Sequence, residues 1–134
     1  MIHLVTGGSG SGKSAYAEQC ILDFGGTRRV YIATMQPFGA EGQARIARHR
    51  KMRAAKQFST IECYTNLKEV ELEPGSDVLL ECMSNLVANE MYMESGAGRQ
   101  MKYLIHPGRE KRGRRRKFLR AFPVWPIRRG IWFW

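Results

Sequence analysis

Residues 7–14 read Gly-Gly-Ser-Gly-Ser-Gly-Lys-Ser and follow directly on the apolar run Ile-His-Leu-Val-Thr at residues 2–6. The pattern G-x-x-x-x-G-K-S after a predicted strand is typical of a phosphate-binding P-loop that opens a helix. Its glycines let successive backbone N–H groups point at phosphate oxygens, and the positive end of the helix dipole faces the same oxygens. A glycine-rich turn that fits the pattern by chance is the alternative, and the position after a strand argues against it. The stretch therefore predicts a nucleotide-binding fold.

The polar residues of this loop have separate predicted roles. Lys13 is expected to reach the β- and γ-phosphates, and the Ser14 hydroxyl is expected to bind Mg²⁺. The dinucleotide pattern G-x-G-x-x-G does not fit, because no third glycine follows Gly10 and Gly12 at the required step. The loop residues predicted to contact nucleotide are Gly7, Gly8, Ser9, Gly10, Ser11, Gly12, Lys13 and Ser14.

Beyond the loop, short apolar runs alternate with helix-forming stretches. Ser84 is the predicted N-cap of the last helix. Strands that alternate with helices predict an α/β fold of the P-loop NTPase type, with a largely parallel sheet and flanking helices. The predicted strands are residues 2–6, 30–34, 59–64 and 77–82, and the predicted helices are 14–24, 41–56 and 84–93, with a short helix or turn over 67–72.

The 134 residues divide into two compositional parts. Residues 1–98 have a net charge of −1, whereas residues 99–134 carry 12 Lys and Arg against the single acid Glu110 and contain all three tryptophans. The overall net charge of +10 is therefore a property of the second part. We predict an incomplete nucleotide-binding α/β domain over 1–98 and an irregular basic tail over 99–134 that is not native to the fold.

Two origins of this tail stay open. Acidic residues and apolar periodicity disappear together near Arg99, which indicates a continuation translated out of frame. The alternative is a basic arm that binds RNA or DNA, since aromatic residues among arginines suit single strands. The first origin is favoured because the tail lacks the Gln, Ser and Lys richness usual in disordered arms. Nucleic acid is accordingly not an expected partner.

The remaining composition is that of a cytoplasmic protein. The chain has no run of about 18 apolar residues, and its N-terminus has no basic-then-apolar signal pattern, so neither a membrane span nor secretion is expected. Cys20, Cys63 and Cys82 are odd in number and widely spaced. We therefore expect reduced, mostly buried thiols and no metal site built from cysteine.

Glu81 is a candidate Mg²⁺ ligand. It stands at the carboxyl end of an apolar predicted strand, where P-loop enzymes hold the metal ion or its water, and where an open parallel sheet faces its ligand. The alternative is an acid that stabilises the N-terminus of the following helix. The ligand role is favoured because the P-loop requires a metal partner.

His49 is a candidate nucleophile in a basic predicted helix. Arg45, His49 and Arg53 are spaced at i, i+4 and i+8, so they share one face. Neighbouring cations favour a neutral, nucleophilic ring and would also attract a nucleotide phosphate. A solvated basic face is the alternative, and chemistry alone favours it. Glu62, near the end of the third strand, is an equally open case between a ligand and an exposed strand acid.

Residues 1–94 resemble the bifunctional adenosylcobinamide kinase/adenosylcobinamide-phosphate guanylyltransferase family. The order and spacing of several segments carry this resemblance, and together they are far more specific than the P-loop alone. They are Leu4-Val5-Thr6-Gly7-Gly8 with Ser11-Gly12-Lys13-Ser14, Tyr31-Ile32-Ala33-Thr34, Arg45-Ile46-x-x-His49-Arg50, Glu62, and Leu79-Leu80-Glu81-Cys82. After about Gly98 the chain departs from the family, whose members continue with a further helix and an N-E-V-G-like strand.

The resemblance implies two activities and a set of site residues. The family phosphorylates the aminopropanol hydroxyl of adenosylcobinamide, with ATP or GTP as the phosphate source. It then passes GMP from GTP to that phosphate through a GMP–histidine intermediate, and the histidine of its pattern falls on His49. Mg²⁺ is the implied cofactor, held by Ser14 and Glu81, with Lys13 and His49 as catalytic residues. Beyond the P-loop, the implied nucleotide contacts are Thr34, Met35, Gln36, Arg50, Lys51, Met52, Arg53, Glu62 and Glu81.

Other functions stay open beside this one. The family forms homo-oligomers, which we do not carry over to a chain of this length. The chain could be a fragment that binds nucleotide without turnover, or a P-loop NTPase whose basic tail binds nucleic acid. The implied partners are adenosylcobinamide and its phosphate.

Overall fold

The computed structural model describes residues 1–37, 39–93, 95–96 and 129–133. Strands and helices alternate as the sequence predicts, with most ends shifted by a residue or two. The short helix or turn predicted over 67–72 is a single 3₁₀ turn. One detail is corrected, because the last helix is capped by Cys82 instead of Ser84. The elements are β1 Ile2–Val5, α1 Lys13–Asp23, β2 Arg29–Ala33, α2 Gly39–Ala55, β3 Phe58–Glu62, the 3₁₀ turn Leu67–Glu69, β4 Asp77–Glu81, α3 Met83–Tyr92 and β5 Arg129–Phe133.

The five strands form one parallel sheet in the order β1-β5-β4-β2-β3. In the register of β2 with its two neighbours, Ala33 lies opposite Glu62 on one side and Glu81 on the other. The last residues of three adjacent strands therefore form a row at the carboxyl edge of the sheet. The parallel sheet with its helices confirms the predicted α/β class. Because open parallel sheets bind their ligands at this edge, the row of strand ends also indicates where a site lies.

Alternate residues of the central strands β2 and β4 pack into two separate apolar cores, one on each face of the sheet. Val30, Ile32, Val78 and Leu80 face one core, which α3 and the 3₁₀ turn complete. The intervening residues of the same strands face the opposite core, which includes Ala17 and Ile21 of α1 together with Tyr31, Phe58 and Leu79. Helices on both faces explain why these strands read as nearly continuous apolar runs.

The basic tail contributes one strand to the sheet, which the sequence analysis missed. β5 lies between β1 and β4 and pairs in parallel with both. Its Ile-Trp-Phe segment at residues 131–133 combines residues with a high preference for strands, but the surrounding arginines and prolines hid this short pattern. Residues 97–128 and 134 lie outside the described residues. The predictions of an out-of-frame continuation and of a nucleic-acid-binding arm stay predictions there.

In the described part of the chain, strand β1 is an edge strand of the sheet. Ile2 and Leu4 alternate along it and are 62% and 63% exposed. Among the described residues, no helix has both the length and the apolarity that crossing a membrane requires. The three cysteines are free thiols, with Cys63 buried and Cys20 and Cys82 half-buried. Burial raises the pKa of the Cys63 thiol to about 11, so this thiol stays protonated at neutral pH.

Candidate nucleotide site

The P-loop connects β1 to α1 through two glycines in the left-handed region. Gly10 has a φ of 72° and Gly12, the N-cap of α1, has a φ of 79°. A side chain is strained in this conformation, so both positions favour glycine. The Lys13 ammonium lies back across the loop and donates a hydrogen bond of 2.7 Å to the Gly8 carbonyl oxygen. The Lys13 side chain therefore folds back over the loop at the start of α1, and its contact with phosphates stays a prediction.

The Glu81 carboxylate joins the P-loop helix to the centre of the sheet. Ser14 Oγ donates to Glu81 Oε1 at 2.8 Å, and the Tyr31 hydroxyl donates to Oε2 at 2.5 Å. Burial, together with the charge of Glu81, raises the pKa of Tyr31 far above its ordinary value. The Tyr31 hydroxyl therefore keeps its proton and remains a donor to Glu81. The side chain of Glu81 thus faces the P-loop, as a metal-ligand role requires.

Ser14 and Glu81 have the donor chemistry that Mg²⁺ requires. Magnesium prefers hard oxygen ligands and is usually held by one or two protein oxygens, with waters and phosphates completing its shell. A hydroxyl and a carboxylate oxygen 2.8 Å apart, beside the loop that faces phosphate, fit this description. The two residues are accordingly suited to holding the ion together with a nucleotide.

A cleft of about 380 Å³ opens at the carboxyl edge of the sheet. It brings the two predicted catalytic residues, Lys13 and His49, into one space although 36 positions separate them in the sequence. The predicted site residues among its walls are Gly7, Ser9, Lys13, Met35, His49, Arg50, Arg53, Glu62 and Glu81. His49 is half-buried there, which favours a specific role over the solvated face that its helix suggests.

Two arginines of α2 are held on the wall of the cleft by different partners. Arg50 forms an ion pair with Glu62, whose second oxygen accepts a hydrogen bond of 3.0 Å from the Tyr64 hydroxyl. Arg53 is 3% exposed, and its guanidinium carbon lies 3.5 Å from the centre of the Tyr31 ring. Its Nε is buried without a hydrogen bond to the described residues. The buried guanidinium is therefore stabilised by the face of the ring.

Several predicted contacts lie away from the walls of this cleft. Gln36 is half-buried and Lys51 is exposed, and neither lines it. Met52 lies in α2, as does Arg45 of the predicted basic face. Ser14 donates a hydrogen bond to Glu81, which lines the cleft. The loop residues Gly8, Gly10, Ser11 and Gly12 are not among its walls. Their contacts with nucleotide stay predictions.

Thr34 is buried and fastens β2 to the residue that follows Glu81. Its hydroxyl accepts a hydrogen bond of 2.7 Å from the Cys82 N–H and donates one of 2.8 Å to the Cys82 carbonyl oxygen. Its own carbonyl oxygen accepts from Asn89 Nδ2 of α3 at 2.8 Å. The Thr34 side chain therefore stabilises the backbone at Cys82, directly after Glu81 at the end of β4.

Replacing Thr34 with valine tests this support. Valine keeps the shape but leaves the Cys82 N–H without its partner and removes one of the two hydrogen bonds that the Cys82 carbonyl oxygen accepts, the other coming from the Leu86 N–H. We therefore expect the free energy of unfolding to fall by about 2 kcal/mol. Chemical denaturation monitored by circular dichroism measures the change. Thr27→Val, at an exposed position, is the matched control and should leave stability unchanged. Equal stability of the two variants would contradict the support role.

Some residues on the walls of the cleft have no site role that the sequence predicts. Tyr31, Thr60, Cys82 and Asn85 line the cleft in addition to the predicted residues. Tyr31 and Thr60 lie in strands whose apolar patterns predict core positions. The signal that could have identified them is their position two residues before Ala33 and Glu62, the last residues of β2 and β3, because residues two apart in a strand share one face.

Comparisons with known proteins identify a family that the chain resembles. A family model described as cobinamide kinase / cobinamide phosphate guanyltransferase matches residues 3–117. The "bifunctional adenosylcobalamin biosynthesis protein CobU" of Escherichia coli K12 is 39% identical over 99 residues, which cover 72% of this chain and 53% of that protein. The protein of the same name from Salmonella typhimurium LT2 has the same identity and coverage. The chain thus spans about half the length of the curated relatives it matches.

Proposed function

The chain belongs to the cobinamide kinase / cobinamide phosphate guanyltransferase family, and on that premise we propose that it catalyses both reactions of this name. It phosphorylates adenosylcobinamide with ATP or GTP and then transfers GMP from GTP to the new phosphate. The observation that carries the proposal is that Lys13 of the P-loop and His49 of α2 line one cleft. A phosphate-binding lysine and a nucleophile in one space suit phosphoryl and nucleotidyl transfer to related substrates.

The kinase step depends on positioning and charge. The P-loop N–H groups and Lys13 hold the β- and γ-phosphates, while the hydroxyl of adenosylcobinamide attacks the γ-phosphorus. An O–P bond forms, the bond between the γ-phosphorus and the β–γ bridging oxygen breaks, and the nucleoside diphosphate leaves with the electron pair. The hydroxyl proton passes to solvent. Ser14 and Glu81 would hold Mg²⁺, which neutralises phosphate charge when it is bound.

The guanylyl step uses His49 as a covalent carrier. A ring nitrogen of neutral His49 attacks the α-phosphorus of GTP, an N–P bond forms, and pyrophosphate leaves with the electrons of the broken P–O bond. A phosphate oxygen of adenosylcobinamide phosphate then attacks the same phosphorus. The N–P bond breaks, and its electron pair restores the imidazole. Arg50 and Arg53 lie on the same helix and face the cleft, where they would offset negative charge on the phosphates.

We propose that Glu62 and Met35 help to bind the nucleotide. Both line the cleft at the ends of neighbouring strands, and Arg50 holds the Glu62 carboxylate in place. A carboxylate accepts hydrogen bonds from N–H groups, which a guanine edge supplies. An apolar side chain such as Met35 suits a ring face. This end of the cleft is therefore suited to a base, whereas the P-loop end is suited to phosphates.

The test is incubation of the chain with adenosylcobinamide, GTP and Mg²⁺, followed by chromatographic separation of the products. The proposal expects adenosylcobinamide phosphate and then its GDP-linked product. Lys68→Ala, at an exposed position, is the control variant and should give the same products. Because the chain spans about half the length of its relatives, a fragment that only binds nucleotide is the second candidate. Stabilisation by GTP and Mg²⁺ against heat without either product would favour that candidate and contradict the proposal.

A further inference from the structure

Tyr31 contacts two residues that the proposed chemistry uses in different ways. Its hydroxyl donates a 2.5 Å hydrogen bond to Glu81, at the end of the cleft suited to Mg²⁺. The face of its ring contacts the guanidinium of Arg53, a residue that lies one turn after His49 in α2. Tyr31 is 4% exposed and lines the cleft between them. A single side chain therefore joins the P-loop end of the site to the helix that bears the nucleophile.

We propose that Tyr31 is a positioning residue, which orients the Glu81 carboxylate toward Ser14 and holds Arg53 at the wall of the cleft. This inference rests on the proposed function and deepens it. Tyr31 takes no part in bond making. It acts through Glu81 on the affinity for Mg²⁺, and through Arg53 on the affinity for the nucleotide.

The hydroxyl part of the proposal follows from the bonds of Glu81. Both carboxylate oxygens have partners, one on Ser14 and one on Tyr31, so the plane of the carboxylate is set from two sides. Without the hydroxyl, Glu81 Oε2 loses its hydrogen-bond donor. The carboxylate then rotates at little energetic cost, because the terminal side-chain torsion of glutamate has no sharply preferred angle. The oxygen that faces Ser14 then spends less time in the orientation that binds the ion.

The ring part of the proposal follows from the burial of Arg53. A guanidinium that is 97% buried loses most of its hydration, and its Nε has no acceptor among the described residues. The ring face supplies attraction that offsets part of this cost. Removing the ring would let Arg53 leave the wall for solvent, where it could no longer meet a phosphate in the cleft.

A core role for Tyr31 would predict something different. Tyr31 belongs to the apolar cluster with Ala17, Ile21, Phe58 and Leu79. If packing were its whole role, Tyr31→Phe would behave as wild type in every binding measurement, because phenylalanine keeps the ring and its burial. The hydroxyl variant therefore separates positioning from packing.

Two calorimetric titrations test the proposal without any turnover. In the first, Mg²⁺ is titrated into the chain saturated with a GTP analogue whose β–γ bridge is an imido group. Tyr31→Phe is expected to weaken Mg²⁺ binding about tenfold, since a hydrogen bond to a charged group is lost. Tyr64→Phe is the matched control, because it removes a hydroxyl that donates to Glu62, and it should leave Mg²⁺ affinity unchanged. Equal Mg²⁺ affinity in Tyr31→Phe and wild type overturns the hydroxyl part.

In the second titration, the same analogue is added to metal-free chain. Tyr31→Leu is expected to weaken analogue binding about fivefold, since its cation–π contact is lost, whereas Tyr31→Phe keeps wild-type affinity. If Tyr31→Leu does not fold, Arg53→Met replaces it and should weaken binding to at least the same extent. If the variant that folds, Tyr31→Leu or Arg53→Met, binds the analogue as tightly as the wild-type chain does, the ring part of the proposal is overturned. A wild-type chain that binds no analogue contradicts the proposed function, and the Tyr31 proposal falls with it.

Discussion

His49→Ala is expected to lower GMP transfer to adenosylcobinamide phosphate by at least ~10³-fold, since removing a covalent nucleophile removes the reaction path that it opens. Phosphorylation of adenosylcobinamide should stay within about twofold of wild type, because that step forms no bond to the imidazole. The two rates are measured separately by chromatography, the first with adenosylcobinamide phosphate as substrate and the second with adenosylcobinamide. The split between the two rates is what distinguishes a nucleophile from a residue that only shapes the cleft.

His3→Ala is the control for this experiment. His3 lies in the edge strand β1, where it is exposed and its ring contacts Phe24. Its replacement should leave both rates unchanged. If His49→Ala retained GMP transfer above about a tenth of the wild-type rate, another group would have to carry the guanylyl moiety. A parallel loss of both rates would instead indicate that His49 holds the fold or the nucleotide.

Lys13→Ala is expected to lower both rates by about 10²–10³-fold, which is the range found when one preorganised charge-stabilising donor is removed. Both rates are expected to fall because Lys13 of the P-loop and His49 line the same cleft. A triphosphate that is held by Lys13 would present its γ-phosphorus for the kinase step or its α-phosphorus for attack by His49. The measurement is the same pair of rates, with nucleotide affinity determined in parallel.

The control for Lys13 is Lys68→Ala, in the 3₁₀ turn on the surface. It removes the same charge from the chain and should change neither rate. A large loss of the kinase rate alone in Lys13→Ala would mean that the guanylyl step uses a separate triphosphate position. A loss of neither rate would contradict the role of the P-loop in this chain.

Local patterns in the sequence were enough to predict the part of the site that depends on short spacing. The P-loop, its lysine and its serine lie within eight consecutive residues. Glu81 could be predicted because an acid at the end of an apolar strand is a local feature. The alternation of strands and helices places such strand ends at one edge of the sheet, which is why Glu81 was expected at the ligand side, whereas the strand pattern left Glu62 open between a ligand and an exposed strand acid. The register around Ala33 bears out that placement.

Long-range pairing explains what the sequence did not predict. β5 was missed because its five residues follow a long basic stretch, and its place between β1 and β4 depends on partners far away in the chain. Tyr31 reads as a core residue of a buried strand, and its two functional contacts become apparent only when β4 and α2 lie beside it. Thr34 likewise pairs with Cys82 across 48 positions, a contact that no local pattern contains.

The most direct test of the account is to locate the guanylyl group itself. The wild-type chain is incubated with GTP and Mg²⁺ in the absence of adenosylcobinamide phosphate, digested at neutral to alkaline pH, and mapped by mass spectrometry. The account predicts one acid-labile guanylyl adduct on His49, which disappears when adenosylcobinamide phosphate is added. An adduct on another residue, or none in a chain that binds GTP and forms the GDP-linked product, would contradict it.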